Sequence, residues 1–404
     1  MTVMDFNFDT PYELQIQIAK EKHRLIEETL EDEQCWIIFV RETAMAPDPT
    51  FELVVAGDVV WESAFLFHKA NGKLKKIAIV GNFDVQAEER KGIWDEIFGY
   101  VHGISEPLKD KIETLDPKDM FVNYSVDDVA ADGLSHGMYL KLTEILPQRE
   151  FKSAKHIVET IRSVKTPTEI DLIRKACQIT EEINNTITQQ LRPGMTEIEI
   201  QKLFHQEMNK RGVLEAWQRD ACPAVDAGPE KEMGHVGPTE LKTRLGQTLH
   251  NDFGVKFQGY CSDIQRMWFF GKRKDIPDQL EHAFKTVHGA ITEAAKAIRP
   301  GMRGVDIDKI ARDFVIANGY EEYKHALGHQ VGKFAHDGGT ILGPMWERYG
   351  QTPLGELKKG NVFTLELYVK TKDSGMVSLE EMIVITENGC EFIIPRQDDW
   401  ICLA

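Results

Sequence analysis

The chain has 404 residues, 42% of them hydrophobic, and a formal net charge of −17. That length exceeds what one core usually spans, so two domains are expected. The acidity excludes nucleic-acid and anionic-membrane partners, which need basic patches, and no apolar stretch approaches the ~20 residues of a membrane span.

The opening segment, MTVMDFNFDTPYE, is acidic and lacks the charged and apolar regions of a signal peptide. The six cysteines are scattered without a C-x-x-C pair, which fits free thiols in a reducing cytosol. A globular cytoplasmic protein is expected. PYELQIQIAKEKHRLIEETL carries helical periodicity, and CWIIFVRE, FELVVAG, VVWESAFLF and KKIAIVGN predict strands. Residues 1–159 are therefore expected to form an α/β domain, and 160–404 a second domain. The second domain opens on a strong helix start: Thr166 as N-cap, Pro167 at the first helical position, and Glu169 closing a capping box.

That second domain contains a duplication. LRPGMTEIEIQKLFHQEMNKRG, from Leu191 to Gly212, matches IRPGMRGVDIDKIARDFVIANG, from Ile298 to Gly319. Each copy reads as a helix, an R-P-G-M turn and a second helix. A single offset is too long a period for a solenoid, and predicts two related α-α-β halves with a pseudo-symmetric sheet. The strands after each helix pair carry acids. Asp252 and Asp263 flank a predicted hairpin, HNDFGVKFQGYCSD; Glu366 interrupts NVFTLELYV; and Glu380 begins the acidic pair of MVSLEEMIVIT.

Buried carboxylates are costly alone, and crowding them adds repulsion of about 4 kcal/mol per close pair at an effective dielectric of 20. With His329, these acids make a hard set of four oxygen donors and one nitrogen donor, suited to Mn²⁺, Fe²⁺ or Co²⁺ rather than a sulfur-rich structural zinc site. Five such ligands exceed the needs of one tetrahedral ion. Two divalent ions sharing a water are the expected solution, with manganese foremost and cobalt, iron or zinc as substitutes.

DFGVKFQGYCSDIQR resembles the D-x-G…G-Y-x-S-D-x-T-R pattern of the pita-bread metallopeptidases, which include aminopeptidase P, prolidase, methionine aminopeptidase and creatinase. HALGHQVGKFAHD is similar to that family's histidine segment, and NVFTLELYV and GMVSLEEMIVITENG match its two glutamate motifs in order. The resemblance runs closely from Ile161 onward. It implies an α+β protein: a C-terminal pita-bread domain preceded by a smaller creatinase-like α/β domain that forms a homodimer and walls the cleft. Asp252 would bind one metal, Asp263 and Glu380 would bridge both, and His329 and Glu366 would complete the second. Glu366 would also shuttle the proton of the attacking water. His235 and His336 match substrate-facing, catalytic histidines, and His325 matches a further substrate-side histidine. The implied reaction is hydrolysis of a peptide bond, with proline on the leaving side.

Several neighbours depart from the family pattern. Gln265 stands for the usual threonine, Gln330 for a glycine, Asp337 for a glutamate, and Ser378 for an arginine, while the loop after Glu366 is shortened. Loss of that arginine removes an anchor for a free substrate carboxylate. The alternatives are the same scaffold acting on a small non-peptide C–N bond or as a lyase, and a non-catalytic metal- or peptide-binding protein. A serine hydrolase could be read from GLSHG at Ser135, but the acidic SVDDVAADG before it is unlike the strand of a nucleophile elbow. Cys261, inside the metal hairpin, reads as a small buried thiol rather than a nucleophile.

Overall fold

The computed structural model describes residues 9–126, 128–230 and 237–403. The chain divides into two compact units, one of Pro11–Arg162 and one that holds Thr10 and the chain from Ser163 onward.

The first unit is built on a six-stranded mixed sheet. Its strands are β1 (Gln34–Val40), β2 (Ser63–Ala70), β3 (Lys73–Gly81), β4 (Glu96–Tyr100), β5 (Asp119–Val122) and β6 (Phe151–Ser153), in the order β4-β3-β2-β1-β5-β6. The central strand β1 reads QCWIIFV and is buried from Cys35 to Val40, as a strand covered on both faces should be. Ile37, Leu66, Ile77 and Ile79 pack with Leu108, Ile112 and Leu142 of the flanking helices. The helix predicted near the start spans Tyr12–Thr29.

One predicted strand is not a strand. FELVVAG forms the short helix Phe51–Val54. The cause lies just upstream, where the Asp48 carboxylate accepts both the Thr50 N–H at 2.8 Å and its hydroxyl at 2.6 Å. That local turn sets the chain into a helix before its apolar residues can pair in a sheet.

In the second unit the duplication is visible as structure. Helices Pro167–Thr188 and Glu197–Arg211 form the first pair, and Asp278–Ala297 and Gly304–Ala317 the second. The capping box Thr166–Glu169 opens the first helix, and Thr196–Glu199 repeats the device at the second. Each R-P-G-M turn needs a left-handed glycine, Gly194 at φ +92° and Gly301 at φ +86°. The two turns are tied alike: Gly194 N–H donates to Thr243 O at 2.8 Å, and Gly301 N–H to Leu357 O at 2.8 Å.

The sheet between the pairs has seven strands. They are β8 (Ala224–Ala227), β9 (Thr248–Phe253), β12 (Ile264–Phe269), β14 (Met376–Ile385) and β13 (Val362–Lys370), with β15 (Cys390–Phe392) on β14 and β16 (Ile401–Cys402) on β12. A small sheet of β7 (Leu214–Glu215), β10 (Val255–Phe257) and β11 (Tyr260–Cys261) completes the unit. Separate apolar clusters back the two halves. Ile183, Ile200, Phe204 and Phe253 pack in one, and Ala283, Val287, Ile307 and Leu365 in the other.

Candidate metal centre

Strand register gathers polar side chains into one row. Asp252 on β9 is the Cα partner of Gln265 on β12, Gln265 is the partner of Glu380 on β14, and Glu380 is the partner of Glu366 on β13. Directly opposed residues of antiparallel strands share a face, as do residues two apart along one strand. Asp263, His250 and Ser378 therefore point to the same side. Glu381 falls on the other side, where buried Arg266 meets it at 3.3 Å and Glu181 at 3.2 Å. The pleat thus sorts the acidic pair Glu380-Glu381, one to the row and one to an arginine.

His329 enters from a segment laced to β13. Thr364 N–H donates to His329 O at 2.9 Å, and Glu366 N–H donates to Leu327 O at 2.7 Å. The approach depends on Gly328, because a Cβ there would lie 2.0 Å from Thr364 O. His329 Nε2 consequently faces Glu366 at 3.3 Å, Asp263 at 3.7 Å and Glu380 at 4.0 Å. The ring's other nitrogen lies 3.4 Å from Gln330 O, which leaves Nε2 for the acids. Donor atoms of Asp263, His329 and Glu380 lie within 4.8 Å of one another.

The electrostatics are those of a site built for cations. Burial, then the charges of Asp252 and Glu366, raises the Asp263 carboxyl well above its ordinary range. Burial and the charge of Asp263 do the same to Glu380. Burial lifts Asp252 to about 7 despite the opposing charge of His250. Glu366 is the exception: burial would raise it, but the His329 hydrogen bond and the imidazoles of His325, His329 and His336 outweigh that and lower it. Asp252 Oδ1 is buried with no hydrogen-bond partner. Crowded carboxylates, an orphaned carboxylate oxygen and an imidazole nitrogen together fit hard divalent ions, which would satisfy all of them.

The further predicted residues are distributed unevenly. The His336 ring stands edge-on to His329, with centroids 4.2 Å apart. His325 stacks on Tyr368 at 5.4 Å, and its Nδ1 lies 2.7 Å from Ala326 O while Nε2 is buried without a partner. His235 lies outside the described residues. Asp337 is held by Lys165 in a buried ion pair of 2.9 Å. Ser135 is the N-cap of helix His136–Ile145, accepting the Met138 N–H, and so performs a structural task. The Cys261 thiol is buried and pushed up to about 12, far from a reactive thiolate.

Sequence reasoning did not anticipate a buried polar chain beside the row. His250 lies between Asp226 and Gln265, 2.9 Å from each, and Ser378 donates to the same Gln265 oxygen. The available signal was His250 itself, two residues before Asp252 and hence on the same face of a buried strand.

A model of metallopeptidase family M24 matches residues 171–387. The uncharacterized peptidase YqhT of Bacillus subtilis is 27% identical over 273 residues, covering 67% of this chain and 73% of its own. The Xaa-Pro dipeptidase of Pyrococcus furiosus is 28% identical over 260 residues, covering 64% and 70%. Among solved structures, an X-Pro aminopeptidase from Thermotoga maritima MSB8 superposes with a TM-score of 0.70 at 24% identity, covering 94% of this chain and 99% of that one. An Xaa-Pro dipeptidase from Bacillus anthracis gives a TM-score of 0.70 at 23% identity, covering 96% and 100%. At these identities the superpositions show a shared fold.

Proposed function

The chain belongs to metallopeptidase family M24 and has its pita-bread fold, and from that premise we propose that it hydrolyses Xaa-Pro peptide bonds with two divalent ions held by Asp252, Asp263, His329, Glu366 and Glu380. The observation that carries this reading is the convergence of Asp263, His329 and Glu380 donor atoms within 4.8 Å, beside the unpartnered Oδ1 of Asp252. In this assignment Asp263 and Glu380 would serve both ions, as the sequence resemblance implies. When bound, the ions supply a water acidified for attack on a carbonyl carbon.

The remaining work falls to side chains. Glu366 is the one acid of the row whose environment favours the ionised form, so it is suited to take a proton from the attacking water. It then returns that proton to the leaving nitrogen, which on proline carries no hydrogen of its own. In this reading His336, whose ring stands edge-on to His329, donates to the developing oxyanion. His325, stacked on Tyr368, is the further substrate-side histidine of this reading, as the sequence resemblance implies. A role for His235 rests on the sequence resemblance alone.

Manganese is the proposed ion, on the oxygen-rich donor set. The proposal extends to a homodimer formed through the N-terminal unit and to a cytoplasmic location. The six cysteines form no disulfide, as a reducing compartment requires.

The test is a panel of Xaa-Pro dipeptides, longer Xaa-Pro peptides and amino-acid amides, assayed after chelation and again with added Mn²⁺. Mn²⁺-dependent cleavage of an Xaa-Pro bond is expected. Absence of cleavage across every Xaa-Pro peptide would overturn the reading, and tight Mn²⁺ binding without turnover would identify a binding protein.

A further inference from the structure

Gln265 occupies the middle of the acidic row, between the Cα partners Asp252 and Glu380. Its side chain is 2% exposed and fully engaged. The carbonyl oxygen Oε1 takes the His250 ring nitrogen at 2.9 Å and the Ser378 hydroxyl. The amide nitrogen donates to Glu366 Oε2 at 3.3 Å.

This orientation is the one the surroundings permit. The reversed amide would turn its oxygen onto the Glu366 carboxylate and leave two acceptors in contact. His250 continues the chain away from the row. Its other nitrogen lies 2.9 Å from the Asp226 carboxylate, with the two side chains only 3% and 8% exposed. Glu366 is held at both ends, Oε1 by His329 at 3.3 Å and Oε2 by Gln265.

We propose that Gln265 is a positioning residue of the metal centre: the buried chain Asp226–His250–Gln265, with Ser378, aims its amide N–H at Glu366 and sets the direction in which that carboxylate presents itself. The catalytic arm of this proposal rests on the peptidase reading above, and the metal-binding arm does not. Gln265 acts through Glu366, to which it donates. It replaces by neutral donation what a cation in the same place would do by charge, and so leaves the net negative charge of the row for the ions.

The experiment uses the full chain, chelated and then titrated with Mn²⁺ by calorimetry, with steady-state rates on a cleaved Xaa-Pro dipeptide at saturating Mn²⁺. Gln265→Leu keeps the volume and removes the amide. It is expected to weaken Mn²⁺ affinity or kcat by about 10- to 100-fold, with KM changed by less than about 3-fold. His250→Gln, which removes the imidazole that links Asp226 to Gln265, should lower the same quantity. The double variant should be no worse than Gln265→Leu alone, because His250 acts through Gln265. Gln265→Leu with Mn²⁺ affinity and kcat both within about 2-fold of wild type would overturn the proposal, as would losses that multiply in the double variant. Should Gln265→Leu fail to fold, Ser378→Ala decides: a fall of about 3-fold or more in either quantity supports the chain, and no fall overturns it. A wild-type protein that binds Mn²⁺ but cleaves no peptide would defeat the peptidase reading and leave the calorimetric arm to decide this one.

Discussion

Glu366 and Glu380 are Cα partners across β13 and β14, yet their surroundings push their acidities in opposite directions. Imidazoles lower Glu366, whereas burial and neighbouring carboxylates raise Glu380. In the proposed reading both would hold ions, and Glu366 alone would also move the proton.

Glu366→Gln tests the proton transfer. It preserves shape and removes the proton acceptor, so kcat should fall by about 10²- to 10⁴-fold while KM moves little. Rates measured at saturating Mn²⁺ check this, and a kcat close to wild type would remove Glu366 from the reaction.

Glu380→Gln tests the holding of ions. In metal-free protein the change takes one carboxylate out of a buried, mutually repelling group, so the chelated variant should melt higher than chelated wild type. For a gain of about 1 kcal/mol the shift is about 2–4 °C. With Mn²⁺ the order should reverse, since the variant loses a ligand and the stabilisation that binding brings. Thermal scans of both proteins with and without chelator provide the measurement.

A pH effect is expected in the first unit. His23 is buried with its Nε2 2.8 Å from Val54 O, and burial lowers its pKa from 6.5 to about 4. The unfolded chain takes up the proton first as pH falls, so the His23 contribution is intact above 6.5 and is lost progressively toward about 4. At about pH 5 the loss amounts to about 2 kcal/mol. His23→Gln, which keeps a donor but does not titrate, should show a smaller drop in melting temperature between neutral and acidic buffer. An unchanged drop would exclude His23 as its source.

Ser135→Ala should leave peptide cleavage unchanged, because this serine caps a helix. Its hydrogen bond to Met138 N is long, 3.4 Å, so the stability cost is set at the low end, about 0.5 kcal/mol. Loss of activity in a folded variant would reopen the serine-hydrolase reading.

Strand register puts Asp252, Glu380 and Glu366 in one row, and the sequence pointed to these acids because charges in strand segments need partners. The duplication was legible because the R-P-G-M turns repeat, and both glycines adopt the positive φ those turns require. Gln265 and Ser378 showed only as departures from a pattern. Their meaning depends on a hydrogen bond between different strands, at a sequence distance of 113 residues, which no local window contains. FELVVAG misled for the opposite reason: the apolar run suggested a strand, while Asp48 and Thr50 just ahead had already committed the chain to a turn.

The duplicated halves contribute two acids each, Asp252 and Asp263 following the first helix pair and Glu366 and Glu380 the second. Gln265 and Glu366, which touch within the row, are 101 positions apart in the chain. Ions seated among these acids would fasten one half to the other like a rivet through two plates. Neither half would retain them alone, so metal occupancy would report whether this unit has finished folding, and starvation for metal would loosen the seam between the halves as well as silence the chemistry.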